Sequence, residues 1–178
     1  MTNNEIGSLS LVCSVIFVAF CMLGGFLSDR FGRRLTLVVF SAGTLLPTLW
    51  MGWQLHSAVW TYPVEGAADG TWPRHEALIN AWWIAGLIYS MFQGLMYGIR
   101  TAFYMDIVEP KIAATQFTAY MAMLNLVTIY SYWWEGLAIT SVEKGGWGLT
   151  YLQIFLVDAG IGALFLLVIP FVKPRPSD

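Results

Sequence analysis

Gly25-Phe26-Leu27-Ser28-Asp29-Arg30-Phe31-Gly32-Arg33-Arg34 is a charged bend between two long apolar runs. Residues 8–27 before the bend carry no charge, and neither do residues 35–54 after it. A hydrocarbon core about 30 Å thick is crossed by roughly 20 apolar residues in helical form, and each flank supplies that length. The bend is therefore expected at a membrane surface, joining two spans. Arg30, Arg33 and Arg34 crowd this short connection, and such basic clusters stay on the cytoplasmic side. Within it, Gly25 allows close approach of a helix, Gly32 suits the positive φ of a tight turn, and Asp29 suits the positive N-terminal end of a neighbouring helix.

The rest of the chain agrees with a membrane location. Of its 178 residues 57% are hydrophobic and only 11% charged, whereas an ordinary soluble domain has about 25% charged residues. Too little charge remains to cover a water-facing surface, so an integral membrane protein is expected. Trp50, Trp53, Trp60, Trp72, Trp133, Trp134 and Trp147 fall near the ends of apolar runs, where an amphipathic ring is most stable. A net charge of −2 offers no electrostatic footprint for nucleic acid. Cys13 and Cys21 both lie in the first run and read as packing residues, not a disulfide or metal pair. Residues 1–7 contain Glu5 and no Lys or Arg, the wrong start for a cleaved signal peptide, so the first run is expected to be a true span.

Five runs qualify as helical spans: 8–27, 35–56, 77–98, 117–139 and 149–172. Open sheet edges cannot be satisfied in lipid, so the expected fold is all-α, a single polytopic bundle over residues 1–178. Pro47 is expected to kink the second span, and Pro170 to mark the exit of the fifth. Residues 57–76, with Pro63, Glu65, Asp69, Gly70 and Pro73, read as an external loop, and 173–178 as a cytoplasmic tail. Placing the bend inside also places Arg100, Lys111, Lys173 and Arg175 inside, leaving only Arg74 and Lys144 outside. Seven of the nine basic residues then obey the positive-inside rule. The N-terminus falls outside and the C-terminus in the cytoplasm.

The spacing Gly25, Asp29-Arg30, Gly32-Arg33-Arg34 resembles the signature loop of the major facilitator superfamily, found between the second and third helices of each six-helix half. The resemblance implies that these residues latch the cytoplasmic side shut. Glu109-Pro110-Lys111-Ile112-Ala113-Ala114-Thr115-Gln116-Phe117, followed by Tyr120-Met121-Ala122 and Asn125, is similar to the branch holding muropeptide permeases and acetyl-CoA transporters. Only one span precedes the signature here, so the chain resembles the last five of twelve helices. That implies secondary transport of a small polar solute, proton-coupled, in a bacterial inner membrane, with a partner polypeptide or an N-terminal half completing the latch. The alternative from another class is a structural or assembly subunit of a larger membrane complex.

Ionisable groups within a span cost roughly 2.5 to 3.5 kcal/mol on insertion scales, so each needs an explanation. Asp158, about nine residues into the fifth span, and Glu135, near the outer end of the fourth, are the candidates for proton coupling. Asp158 would otherwise bond a neighbouring helix, and Glu135 would otherwise be solvated at the interface. Asn125 and Gln93, with Thr128, Tyr130 and Tyr97, are candidates to line a path or to bond helices together. Gly94 with Gly98, and Gly24 with Ser28, read as small-residue pairs for close packing. His56 and His75 have no companion at metal-ligand spacing, and no phosphate loop or catalytic triad order occurs. No metal, cofactor or enzymatic activity is expected.

Orientation is directly testable. With Cys13 and Cys21 replaced by Ala, Arg30→Cys should react with a membrane-impermeant maleimide in inverted vesicles and stay unlabelled in right-side-out ones. The opposite labelling would invert the topology.

Overall fold

The computed structural model describes residues 1–58 and 75–168, and within them the chain is all-helical. Five long helices follow one another: α1 (Asn3–Phe31), α2 (Arg33–Ser57), α3 (Glu76–Ile107), α4 (Ala113–Ile139) and α5 (Tyr151–Val168). Short 3₁₀ turns at Pro110–Ile112 and Val142–Lys144 precede α4 and α5. Each expected apolar run forms the body of one helix. The 57–76 loop and the tail lie largely or wholly outside the described residues, as do Trp60, Trp72, Arg74, Pro170, Lys173 and Arg175.

Local chemistry sets the helix ends. Thr2 and Glu5 form a reciprocal capping box at the start of α1: the Thr2 amide donates to Glu5 Oε2 at 2.7 Å, and Thr2 Oγ1 accepts from the Glu5 amide at 3.3 Å. A single residue, Gly32, separates α1 from α2. Its φ of 88° and ψ of 133° lie in a region where a Cβ is strained. The Thr36 hydroxyl donates to the Gly32 carbonyl at 2.9 Å and tightens the start of α2. Pro47 is buried inside α2, which continues through it. Pro110 does end α3: the chain leaves the helix at Val108, and the Glu109 amide donates to Gln116 Oε1 at 2.8 Å as α4 begins. α3 thus runs nine residues beyond the expected boundary at Gly98, adding Arg100 and Asp106 to the helix.

α3 is the centre of the bundle. It packs extensively on α1 and on α2, while α5 packs on α2 and reaches α3 through Phe155, whose ring meets that of Trp82. The α1–α3 contact is backbone against backbone. A Cβ on Gly94 would overlap the Phe17 carbonyl, one on Gly98 the Cys21 carbonyl, and one on Gly24 the Leu95 carbonyl. Ser28, one turn after Gly24, is 1% exposed. Both small-residue pairs read from the sequence therefore meet in one interface. The bend glycine that needs closeness is Gly24, because a Cβ on Gly25 would meet nothing within 4 Å. On the α2 side, Gly43 receives the ring of Phe92.

The outer surface is apolar. Leu11, Val15, Val18, Met22 and Phe26 form one exposed stripe along α1 at spacings of three and four residues. α1, α2 and the Pro110–Ile139 segment are long and apolar enough to cross a membrane. α3 is as long, but Asn80, Tyr89 and Gln93 dilute its run. Of these, Gln93 is partly buried, whereas Asn80 and Tyr89 are exposed. α4 is the loosest element. It touches α3 and α5 only lightly, and Ala138 is its one buried residue.

Gly94→Leu or Gly98→Leu should force α1 and α3 apart and destabilise the protein by about 1–3 kcal/mol or more. Thermal unfolding in detergent reads this as a clear drop in midpoint, whereas Gly25→Ala, which meets nothing within 4 Å inside α1, should leave the midpoint unchanged or raise it.

Candidate functional site

α4 stands off from the other helices, and the space this leaves is a cavity of about 2190 Å³ between α2, α3, α4 and α5, closed on one side by Leu9, Cys13 and Phe17 of α1. One face of each helix supplies the lining. On α3 it is Tyr89, Gln93, Tyr97, Arg100 and Tyr104; on α4 Leu124, Thr128, Ser131 and Glu135; on α5 Phe155, Asp158, Ile161, Gly162 and Phe165. Spacings of three and four residues keep each set on a single helical face.

Two carboxylates share this cavity although they lie on different helices. Glu135 and Asp158 are both half-buried and lie within electrostatic reach of each other and of the Tyr89 hydroxyl. Gln93 Nε2 donates to Tyr89 Oη at 2.7 Å, so an amide, a phenol and two acids line one region. Three of the four candidates, Asp158, Glu135 and Gln93, are thus brought together. Asn125 is not among the lining residues: it is exposed, one position round the helix from Leu124. Thr128 and Tyr97 line the cavity, and Tyr130 does not. The Thr128 hydroxyl donates to the Leu124 carbonyl at 3.1 Å within its own helix.

The bend residues gather at the other end. Arg33 pairs with Asp106 near the end of α3, donates through Nη1 to the Ala102 carbonyl at 3.1 Å, and lies 3.6 Å from Asp29. One guanidinium therefore ties the α1–α2 bend to the last turns of α3. Its side chain is 32% exposed against 70% for Asp29, so Asp106 and Ala102, not Asp29, bear on how it is held. Arg30 and Gly32 are exposed. Asp106 escaped the sequence reading. Its signal was position alone, as the one acid in the stretch 99–108 that follows the third apolar run.

Nearby, Tyr104 and Tyr120 stack at 5.3 Å and form one of the few ties between α3 and α4. At the opposite end of α4, Trp134 and Trp147 approach at 6.4 Å. Among the described residues, no three His, Cys, Asp or Glu come together to hold a metal ion. Compared with models of known families, with curated proteins and with solved structures, the chain matches none.

A double-mutant cycle should detect the tie between bend and α3. Arg33→Ala and Asp106→Ala are each expected to destabilise, with a coupling of about 0.5–1 kcal/mol in detergent unfolding, the upper range for partly exposed pairs. Additive effects would show the pair to be energetically idle.

Proposed function

We propose that the chain crosses a membrane five times and serves in secondary transport of a small polar solute. One observation carries this reading: a large cavity collects Asp158, Glu135, Gln93 and Tyr89 on faces of helices whose outer surfaces are apolar. A carboxylate within a membrane is costly unless it is neutralised or paired. Two of them on one cavity, reached from α4 and α5, form a site at which a proton or a cationic group is taken up and released. Neutralising the pair lowers the cost of moving the loaded site through lipid, and this is the elementary step of coupling.

The bend supports the same reading. Its spacing resembles the major facilitator signature, and Arg33 spans Asp29, Asp106 and the Ala102 carbonyl, a linkage suited to holding one side of a transporter closed. In this reading the bend faces the cytoplasm, and a muropeptide or an acyl-CoA is the solute the resemblance names. α4 carries an exposed apolar and aromatic face away from the cavity, formed by Met123, Leu126, Ile129, Tyr130 and Trp133. That face favours a partner polypeptide or further helices alongside it. It also supports the second reading, a subunit that assembles a larger membrane complex.

The complete assembly reconstituted in vesicles containing a pH-sensitive dye should acidify or alkalinise the lumen when a muropeptide or an acyl-CoA is added. Asp158→Asn keeps the side-chain shape and removes the titrating group, so the solute-driven pH change should disappear. No flux in the wild type, or unchanged coupling in Asp158→Asn, overturns the proposal. No flux together with co-purification of an unrelated membrane complex favours the assembly subunit.

A further inference from the structure

The bend end of the cavity carries net positive charge, because Arg33, Arg34 and Arg100 line it with one acid, Asp106, which Arg33 holds. Arg100, half-buried on α3, lines it together with Tyr97, Phe103 and Tyr104. Its guanidinium carbon lies 5.3 Å from the centre of the Tyr97 ring. Its Nε is buried without a hydrogen-bond partner. Among the described residues no acid forms an ion pair with it, since Asp106, six positions on, is engaged by Arg33. A buried donor of a permanently charged group, left unsatisfied, is costly, and such orphans call for an occupant.

We propose that Arg100 recognises the carboxylate or phosphate group of an organic anion whose apolar body extends along the cavity. This names the solute class of the transport reading and rests on it, although the anion site stands on its own geometry. A guanidinium presents a planar fork of donors that fits carboxylate and phosphate bidentately. The Tyr97 ring supports its face by cation–π attraction and consumes none of its N–H donors. Phe103 and Tyr104 supply the apolar wall that excludes water from such a pair. Tyr89, beside Glu135 and Asp158, stands eleven residues before Arg100 on the same helix, or about 16 Å along the axis. The acids therefore repel a second anionic group at the far end. The ligand that fits has one anionic head and a neutral or cationic distal end.

A lipid phosphate head group shares this chemistry, and one experiment separates the sources. The full chain in nanodiscs of phosphatidylcholine is titrated calorimetrically with phenyl phosphate, phenylacetate and the neutral phenylacetamide. Both anions are expected to bind, with phenylacetamide at least about tenfold weaker. Arg100→Gln should lose about tenfold or more in anion affinity, and Arg100→Lys should recover part of it. The ligand-free unfolding midpoint of Arg100→Gln should match or exceed the wild type, because the orphan donor is gone, so lost binding is not lost folding. If phosphatidylglycerol in the nanodisc displaces phenyl phosphate from the wild type but has no effect on Arg100→Gln, the site is upheld and its occupant is lipid. Equal binding of the amide and the anions, or full affinity in Arg100→Gln, overturns the proposal. Anion binding through Arg100 without solute flux would sink the transport reading alone, whereas flux with no preference for anions would sink this site alone.

Discussion

The fold depends on the absence of side chains where α1 crosses α3. On the membrane-spanning reading proposed above, apolar surface gains little by pairing with other apolar surface, so helices associate through close packing and dispersion instead. Gly94 and Gly98 bring α3 onto the carbonyls of Phe17 and Cys21, and Gly24 brings α1 onto Leu95. No bulkier residue fits at these three points without moving a backbone. The stripe of Leu11, Val15, Val18, Met22 and Phe26 is correspondingly turned outward.

With α3 held at the centre, the remaining features take their places. α3 is packed on two sides by α1 and α2, and its Tyr89, Gln93, Tyr97 and Arg100 all line the cavity. The bend at Gly32 is short enough to leave Arg33 within reach of α3, where Asp106 and the Ala102 carbonyl receive it. Close packing and the ionic tie therefore both fasten α3, the first to α1 and the second to the start of α2. The first fixes how near α1 and α3 lie; the second fixes the bend against the end of α3.

Helix number and helix bodies were legible in the sequence because length and apolar content are properties of one segment at a time. The small-residue pairs were legible too, since the four-residue spacing puts both members on one face. What escaped was pairwise. The run ended at Gly98 because polarity rises there, yet α3 continues to Ile107 until Val108 leaves the helix ahead of Pro110. That extension is what puts Asp106 opposite Arg33. Asp158 and Glu135 were each visible as charges within apolar runs. Nothing local distinguished them from Asn125, whose neighbours Leu124 and Thr128 face the cavity while it does not.

The uneven packing also determines where the molecule opens most cheaply. Segments with few buried contacts open at the low end of the local stability range. Separating α1 from α3 would expose tightly fitted backbone along several turns, and moving α5 would uncover its contact with α2. The ties of α4 are confined to its ends: the Tyr104–Tyr120 stack and the Glu109–Gln116 bond at one, and at the other the Trp134–Trp147 contact with the backbone bonds that Trp147, Gly148 and Leu149 donate to the Leu137, Thr140 and Ala138 carbonyls. α4 carries Glu135, whereas Asp158 and Arg100 belong to helices anchored in the packed part. Motion of α4 would therefore change the distance between the two acids and leave the spacing between Asp158 and Arg100 fixed. Of the charged groups that line the cavity, Glu135 therefore sits on its movable wall, and Asp158 and Arg100 on its rigid frame.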